Sequence, residues 1–390
     1  MLTSAVRIPR GTCRLFGAIK ALGTIRKCVI LVHGPKGCVY HINYILGMRG
    51  DRPSEVYSTC LDEHDVIFGA EEKLKEAVEE LDRELHPDMI AVLSCCASSI
   101  IGEDVHAAVA DANVSCRVVG IDSGGFEGDF RTGYAETLKR LVEELVLPTE
   151  RTDPKAVNIV GLLRGGPDLR ELRSLIESIG IEIRAVLTAD TCLAEIEQMA
   201  SASLNVVVCE PAGLEAARFL EKKFGIPYIV EEIPIGRKQA EHFLIRISES
   251  LGMPVPEIRI PGPVSSFELT RSDLRIAIIS GPTRAISMTR FLQELGIPPC
   301  VVVVDFNADT RDRLAGVADP DCRILIEPEQ GEIIQALKEE KVDLLIGGML
   351  ERPLAAKLGI KFIDMMHGSQ RTVGCLGAQN LSRMIEDIRT

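Results

Sequence analysis

No stretch of the sequence is long and apolar enough to cross a bilayer. A span needs about 18 uncharged residues, and the apolar runs here are strand-sized. The N-terminus, MLTSAVRIPRGTC, lacks the apolar core of a secretion signal. No Lys/Arg-rich run is present and the net charge is −13. Nucleic acid and anionic membrane are therefore not expected as partners. No low-complexity tract interrupts the chain. Three chemical signatures are also missing. There is no GxxxxGK[ST] loop for ATP phosphates and no GxGxxG fingerprint. There is also no GxSxG elbow for a hydrolase. The Gly-rich turns RGGPD (164–168) and SGPTR (280–284) read as ordinary strand-to-helix turns. A folded cytoplasmic protein is expected.

What the chain has in excess is cysteine, twelve in 390 residues. In a reducing compartment these are not disulfides. Cys116, Cys192, Cys300 and Cys322 sit at or beside strand-like runs and read as small buried hydrophobes. The chain is 46% hydrophobic, and its length allows two or three domains.

Short β-branched runs alternate with longer amphipathic segments. The runs are 27–34, 89–95, 117–122, 156–163, 204–209, 274–280, 300–306, 322–328 and 342–348. Each is almost continuously apolar, as a parallel strand covered on both faces must be. Between them lie helical patterns such as AEEKLKEAVEELDRELH (70–86), with acids early and bases late. Four helices end in Gly-Ile: Gly180-Ile181, Gly225-Ile226, Gly296-Ile297 and Gly359-Ile360. The glycine suits a left-handed helix cap, and the isoleucine opens a strand. The pattern predicts an α/β fold of three Rossmann-like domains, each a mostly parallel sheet flanked by helices, around a central cleft. Pro-rich breaks at 147–155 and 253–266 divide it into domains 1–150, 155–255 and 270–370. The segment 371–390 is expected to pack back on the core.

Three motifs place thiols at strand ends. HGPKGC (33–38) follows a strand and presents Cys38, where ligands bind in open α/β sheets. STCLDEHDVIFGAEEKL (58–74) carries Cys60 in a polar loop before a helix. SCCASSIIGED (94–104) ends a strand in two adjacent thiols. Soft thiolates at such a confluence suit an iron–sulfur cluster or zinc. The spacings match no zinc-finger pattern.

In this order, HGPKGC, TC…DVIFGAEEKL and SCC…SIIGED resemble the nitrogenase component 1 family. CRLFGAIKALGTI (13–25) and DSGGFEGDF (122–130) are also similar to it. The resemblance covers nearly the whole chain. It implies that Cys38, Cys60 and Cys96 ligate an iron–sulfur cluster, with Cys95 a strand residue that could exchange roles with Cys96. It implies a subunit-interface cluster, of four-iron or eight-iron type, in a homodimer or a heterodimer with a homologous chain. It also implies a separate ATP-dependent iron protein as electron donor.

The family's catalytic chains anchor a second metallocofactor through one Cys and one His. LNVVVCEPAGLEAARFLEKKFGIPYI (204–229) resembles the first region, and Cys209 falls on its position. KLGIKFIDMMHGS (357–369) resembles the second, and His367 falls there. Cys375, in a Gly-rich loop, is a further candidate for the same cleft. The stretch GFEGDFRTGYAETL (125–138) lacks the glutamine and paired histidines of catalytic chains. Arg131 and Tyr134 stand near those places and are candidate pocket residues with His367. Dinitrogen is therefore not the expected substrate, and the cleft could hold another metallocofactor or a tetrapyrrole. The expected function is that of a nitrogenase-like oxidoreductase subunit. The alternatives are a non-catalytic scaffold for cofactor assembly and a nickel-tetrapyrrole reductive cyclase subunit.

Overall fold

The structure is a computed structural model that describes residues 12–48, 55–126, 128–150, 154–254, 274–305, 310–365 and 370–389. It contains three sheets, and every strand pairing in them is parallel.

The first sheet is preceded by α1 (Arg14–Leu22). It contains β1 (Cys28–His33), α2 (Lys36–Met48), β2 (Val56–Ser58), α3 (Glu63–Phe68), α4 (Glu71–Leu85), β3 (Met89–Ser94), α5 (Cys96–Ile101), α6 (Val105–Ala110) and β4 (Arg117–Ile121), and α7 (Phe130–Leu145) leads out of it. The second runs through β5 (Ala156–Leu162), α8 (Pro167–Glu177), β6 (Glu182–Thr188), α9 (Leu193–Glu197), β7 (Leu204–Val207), α10 (Glu210–Phe224), β8 (Tyr228–Val230) and α11 (Arg237–Ser250). The third comprises β9 (Ile276–Ser280), α12 (Pro282–Glu294), β10 (Val301–Val304), α13 (Thr310–Ala315), β11 (Arg323–Ile326), α14 (Gln330–Glu339), β12 (Leu344–Gly347), α15 (Arg352–Leu358) and β13 (Lys361–Asp364). The last helix, α16 (Gly374–Arg389), returns to pack on α8 and α11 of the second sheet.

The expected α/β class and parallel sheets are present. All four Gly-Ile glycines have left-handed backbone, with φ of 75°, 68°, 75° and 68°, which glycine adopts without a Cβ penalty. The central strands are buried along their whole length, which explains their unbroken apolar runs. The helix expected over 70–86 is α4, ended by a left-handed His86. Most of the second Pro-rich break lies outside the described residues.

Strand order positions the chemistry. The orders are β2-β1-β3-β4, β6-β5-β7-β8 and β11-β10-β9-β12-β13. In each sheet the winding direction reverses at one place: between β1 and β3, between β5 and β7, and between β9 and β12. Crevices form at the carboxyl ends of such strand pairs. One apolar cluster runs from the first sheet through α1, α7 and α10 into the second.

The helices α1 and α7 cross at backbone contact. A Cβ at Gly17 would lie 2.0 Å from the Phe130 carbonyl oxygen, and one at Gly133 would lie 1.9 Å from that of Arg14.

Candidate metal centre

The thiols of the first sheet gather at its reversal point. Cys38 is in the first turn of α2, three residues beyond Pro35, and not in the turn itself. Cys95 is the N-cap of α5, with extended backbone, and Cys96 is that helix's first residue. The Cys38 thiol faces that of Cys95, with Cys96 and Cys13 near enough to act on its charge. Cys95 and burial together push the Cys38 thiol up. Cys38 draws the Cys95 thiol down, and the Cys95 sulfur accepts the Ala97 N–H at 3.3 Å. The Cys96 sulfur turns the other way and accepts the Gly125 N–H at 3.2 Å.

Cys13 belongs to this group and was not among the sequence candidates. It caps α1 but makes no side-chain capping bond. A bridge to Asp129 and the Phe130 N–H bond to the Thr12 carbonyl, 2.9 Å, hold it beside the 122–130 loop. The point a Cβ would occupy on Gly125 lies 3.0 Å from the Cys96 sulfur and 3.8 Å from the Cys13 sulfur. Glycine thus leaves room between two thiols. One signal was available. Cys13 ends the polar segment PRGT, where the buried-hydrophobe explanation does not apply.

Cys60 is placed differently. Its loop is fastened to the β1–α2 turn, through Leu61 N–H to the Gly34 carbonyl at 3.1 Å and Ser58 Oγ to the same oxygen at 2.7 Å. The residue is exposed and left-handed, φ 53°. Its thiol takes part in none of the contacts that join the other four.

Behind the thiols, the buried His33 ties three loops together. Thr59 Oγ1 accepts the Gly34 N–H at 3.1 Å, which leaves its own proton for His33 Nδ1, also at 3.1 Å. His33 Nε2 then carries the ring proton toward Glu103 at 3.4 Å. Burial lowers the imidazole pKa despite that carboxylate, in keeping with a neutral ring.

The donor chemistry fits an iron–sulfur cluster. Among the described residues, no three Cys, His, Asp or Glu side chains converge tightly enough for a single metal ion. Cysteine thiolates are the usual ligands of such a cluster.

The reversal points of the second and third sheets face each other. Cys209 caps α10 after β7 and is buried, with Thr283 at the start of α12 beside its thiol. Burial pushes this thiol up. Beside it, Asp168 is almost wholly buried. It accepts from Arg164 at 2.5 Å, Arg284 at 3.3 Å, and the Thr372 N–H and hydroxyl, each at 2.7 Å. Burial alone would raise the Asp168 carboxyl, but the two guanidiniums and Thr372 hold it low. Arg284 is itself lowered to about 10, first by burial and then by Arg164. Arg164 also donates to the Met365 and Gln370 carbonyls, at 3.2 and 2.7 Å. It therefore grips both flanks of the segment carrying His367, which lies outside the described residues. A second set of ion pairs joins the same two sheets. Arg313 meets Glu210 at 2.7 Å and also Glu232, and Arg290 meets Glu232 at 3.1 Å. A cavity of about 270 Å³ next to Glu232 is lined mainly by charged side chains and does not reach Cys209.

Two sequence candidates fall away from this cleft. Tyr134 is 1% exposed, on the inward face of α7, with its hydroxyl 3.2 Å from Thr188 Oγ1. It packs in the core, and no open pocket surrounds it. Cys375 lies near the start of α16 in the apolar cluster with Leu169 and Phe243, while Cys209 belongs to another cluster. Arg131, in the first turn of α7, is half-buried beside Asp129.

Residues 13–388 match the family model for nitrogenase component 1 type oxidoreductases. The chain belongs to that family. Among its curated component 1 relatives is the nitrogenase iron-molybdenum cofactor biosynthesis protein NifE of Clostridium pasteurianum. It is 30% identical over 403 residues, covering 97% of this chain and 87% of the relative. The nitrogenase molybdenum-iron protein beta chain of Methanococcus maripaludis is 27% identical, covering 97% and 93%. A solved component 1 structure, "Nitrogenase Cp1 at pH 6.5", superposes with TM-score 0.85 at 23% identity, over 100% of this chain and 94% of that one. No described helix is long and apolar enough to cross a membrane.

Proposed function

We propose that this component 1 chain holds an iron–sulfur cluster through Cys13, Cys38 and Cys96 and serves as an electron-accepting oxidoreductase subunit. The observation that supports it is the gathering of these thiols at the first sheet's reversal point, with Gly125 leaving space between two of them. When bound, the cluster supplies one-electron redox chemistry. The chain's own part is to fix the thiols, bury Cys95 behind them and tie their loops through His33. Cys60 is assigned to the rim of this site. The proposed electron donor is an ATP-dependent iron protein, on the strength of the family membership.

Exposed apolar side chains surround the thiols: Tyr40 and Tyr44 on α2, Ile67 and Phe68 on α3, Ile100 on α5, and Phe126. Such a patch calls for cover, and a second component 1 chain, identical or homologous, is the proposed partner. Domain limits near 150, 255 and 370 are proposed on the same basis as the sheets. Cys209, at the facing reversal points, is proposed to border the site that receives the electrons, and His367 is proposed to join it on the strength of the family resemblance.

A scaffold role in cofactor assembly is the second reading. It is favoured by the NifE relative and by the burial of Tyr134, which leaves one fewer side chain for proton delivery.

The test is anaerobic purification with iron and sulfide analysis and electron paramagnetic resonance, on the wild type and on Cys13→Ala, Cys38→Ala and Cys96→Ala. Each variant is expected to lose the cluster signal, and full retention in all three would remove the assignment. Reduction of the cluster by an iron protein with MgATP separates an electron-accepting subunit from a scaffold that only carries and releases metal.

A further inference from the structure

Tying three loops together does not by itself call for a titratable ring. The His33 side chain has no exposed surface, and its partner Glu103 keeps only 6%. An imidazole is often locked by a permanent Nδ1 proton given to a backbone carbonyl. Here Nδ1 faces a hydroxyl instead, Thr59 Oγ1 at 3.1 Å, and Nε2 faces a carboxylate, Glu103 Oε2 at 3.4 Å. A hydroxyl has one proton and two acceptor positions. The Gly34 N–H takes one of those positions. Thr59 can therefore donate to a neutral ring or accept from a protonated one, and Glu103 accepts from Nε2 in both states. The surroundings hold the ring with or without its charge.

The charged groups that act on the ring are Glu103 beyond α5, Asp65 on α3 and Lys73 on α4. The two carboxylates favour the protonated form, and Lys73 and burial oppose it. Burial has the largest effect, so the ring rests neutral. What lies next to it can tip that balance. Gly34, the residue after His33, packs so closely on the Cys95 sulfur that a Cβ there would collide with it. The Cys38 thiol faces Cys95, and Cys96 follows it in the chain. An electron reaching this layer adds negative charge where little water screens it, and negative charge nearby favours a protonated imidazole.

We propose that His33 is a proton site linked to reduction of the cluster: it takes a proton from solvent through Glu103 when an electron reaches the cluster, and gives it back when the electron leaves. The electron comes from the donor protein and the proton from water, so one charge of each sign enters together. This inference rests on the cluster reading above and gives a role to a residue outside the ligand set.

The test is a potentiometric titration of the reconstituted full chain, followed by electron paramagnetic resonance between about pH 5 and pH 8. It compares the wild type with His33→Gln and Glu103→Gln. The wild-type midpoint potential is expected to fall as pH rises, because reduction takes up a proton. Its limiting slope is about 59 mV for each tenfold change in proton activity. His33→Gln should bind the same iron and lose the slope. Glu103→Gln removes a carboxylate that favours the charged ring, so its sloping region should move to lower pH. A flat wild-type profile would overturn the proposal while the cluster reading stands, and so would a full slope in His33→Gln. If His33→Gln takes up no iron, Glu103→Gln decides, and a sloping region that stays in place there overturns the proposal. A wild type that takes up no iron removes the cluster reading and this one together.

Discussion

At the scale of single residues, Asp168 is the charge on which the most contacts depend. It lies between two guanidiniums and a backbone N–H, nearly without solvent. Replacing it with alanine leaves Arg164 and Arg284 facing each other in the interior, and breaking a buried pair this way costs about 3–5 kcal/mol. Denaturant titration of Asp168→Ala should show that loss. Because the native carboxyl is held below its ordinary range, its stabilisation is complete above about pH 4 and fades as pH falls through the native value. Asp168→Asn should flatten that acid limb of the stability profile, measured from pH 7 down to pH 3. Gly125 offers a second test. Gly125→Ala puts a methyl group between the Cys96 and Cys13 sulfurs. The variant should fold normally yet lose most of its iron on anaerobic reconstitution.

Residue roles were legible unevenly. Cys38 and Cys96 could be read because each follows closely on a strand that announces itself. Cys13 carried only the weak signal of its polar flank, because its place depends on a loop more than a hundred positions away. Tyr134 looked like a pocket residue by position in the chain. The spacing of Gly133, Tyr134, Thr137, Leu138 and Leu141 already marked the buried face of a helix.

At the scale of elements, the α1–α7 crossing holds the first thiol in register with the Gly125 loop. Both helices bring a glycine to the contact because neither backbone leaves space for a Cβ. Gly17→Ala or Gly133→Ala must push the helices apart. Overpacking of this kind costs about 1–3 kcal/mol, seen as a lowered denaturation midpoint. Iron retention should fall with it, since Cys13 caps the displaced helix. The strands legible as apolar runs include the central ones and also the edges β4 and β11, while the edges β6, β8 and β13 were signalled by the Gly-Ile that precedes them. The one that was not, β2, has three half-buried residues at a sheet edge and no apolar run to signal it.

At the scale of the molecule, the first two sheets share one apolar cluster, whereas the second and third are joined in large part by ion pairs around Cys209. That junction is the natural place for the protein to open. Arg313→Ala removes the bridge to Glu210 and Glu232, so Cys209 should react faster with a thiol reagent. The increase should be roughly 5–10-fold for a lost coupling of about 1–1.4 kcal/mol, read by mass spectrometry of the alkylated peptide. Unchanged labelling would mean that the remaining contacts keep the junction shut.

The bridge from Cys13 to Asp129 also bears on how the protein is made. Cys13, Cys38 and Cys96 are all translated before residue 129, yet the bridge that seats Cys13 needs the start of α7. On the proposed ligand set, iron offered to a nascent chain that ends short of this point would find only part of its binding group, so loading would follow the synthesis of α7.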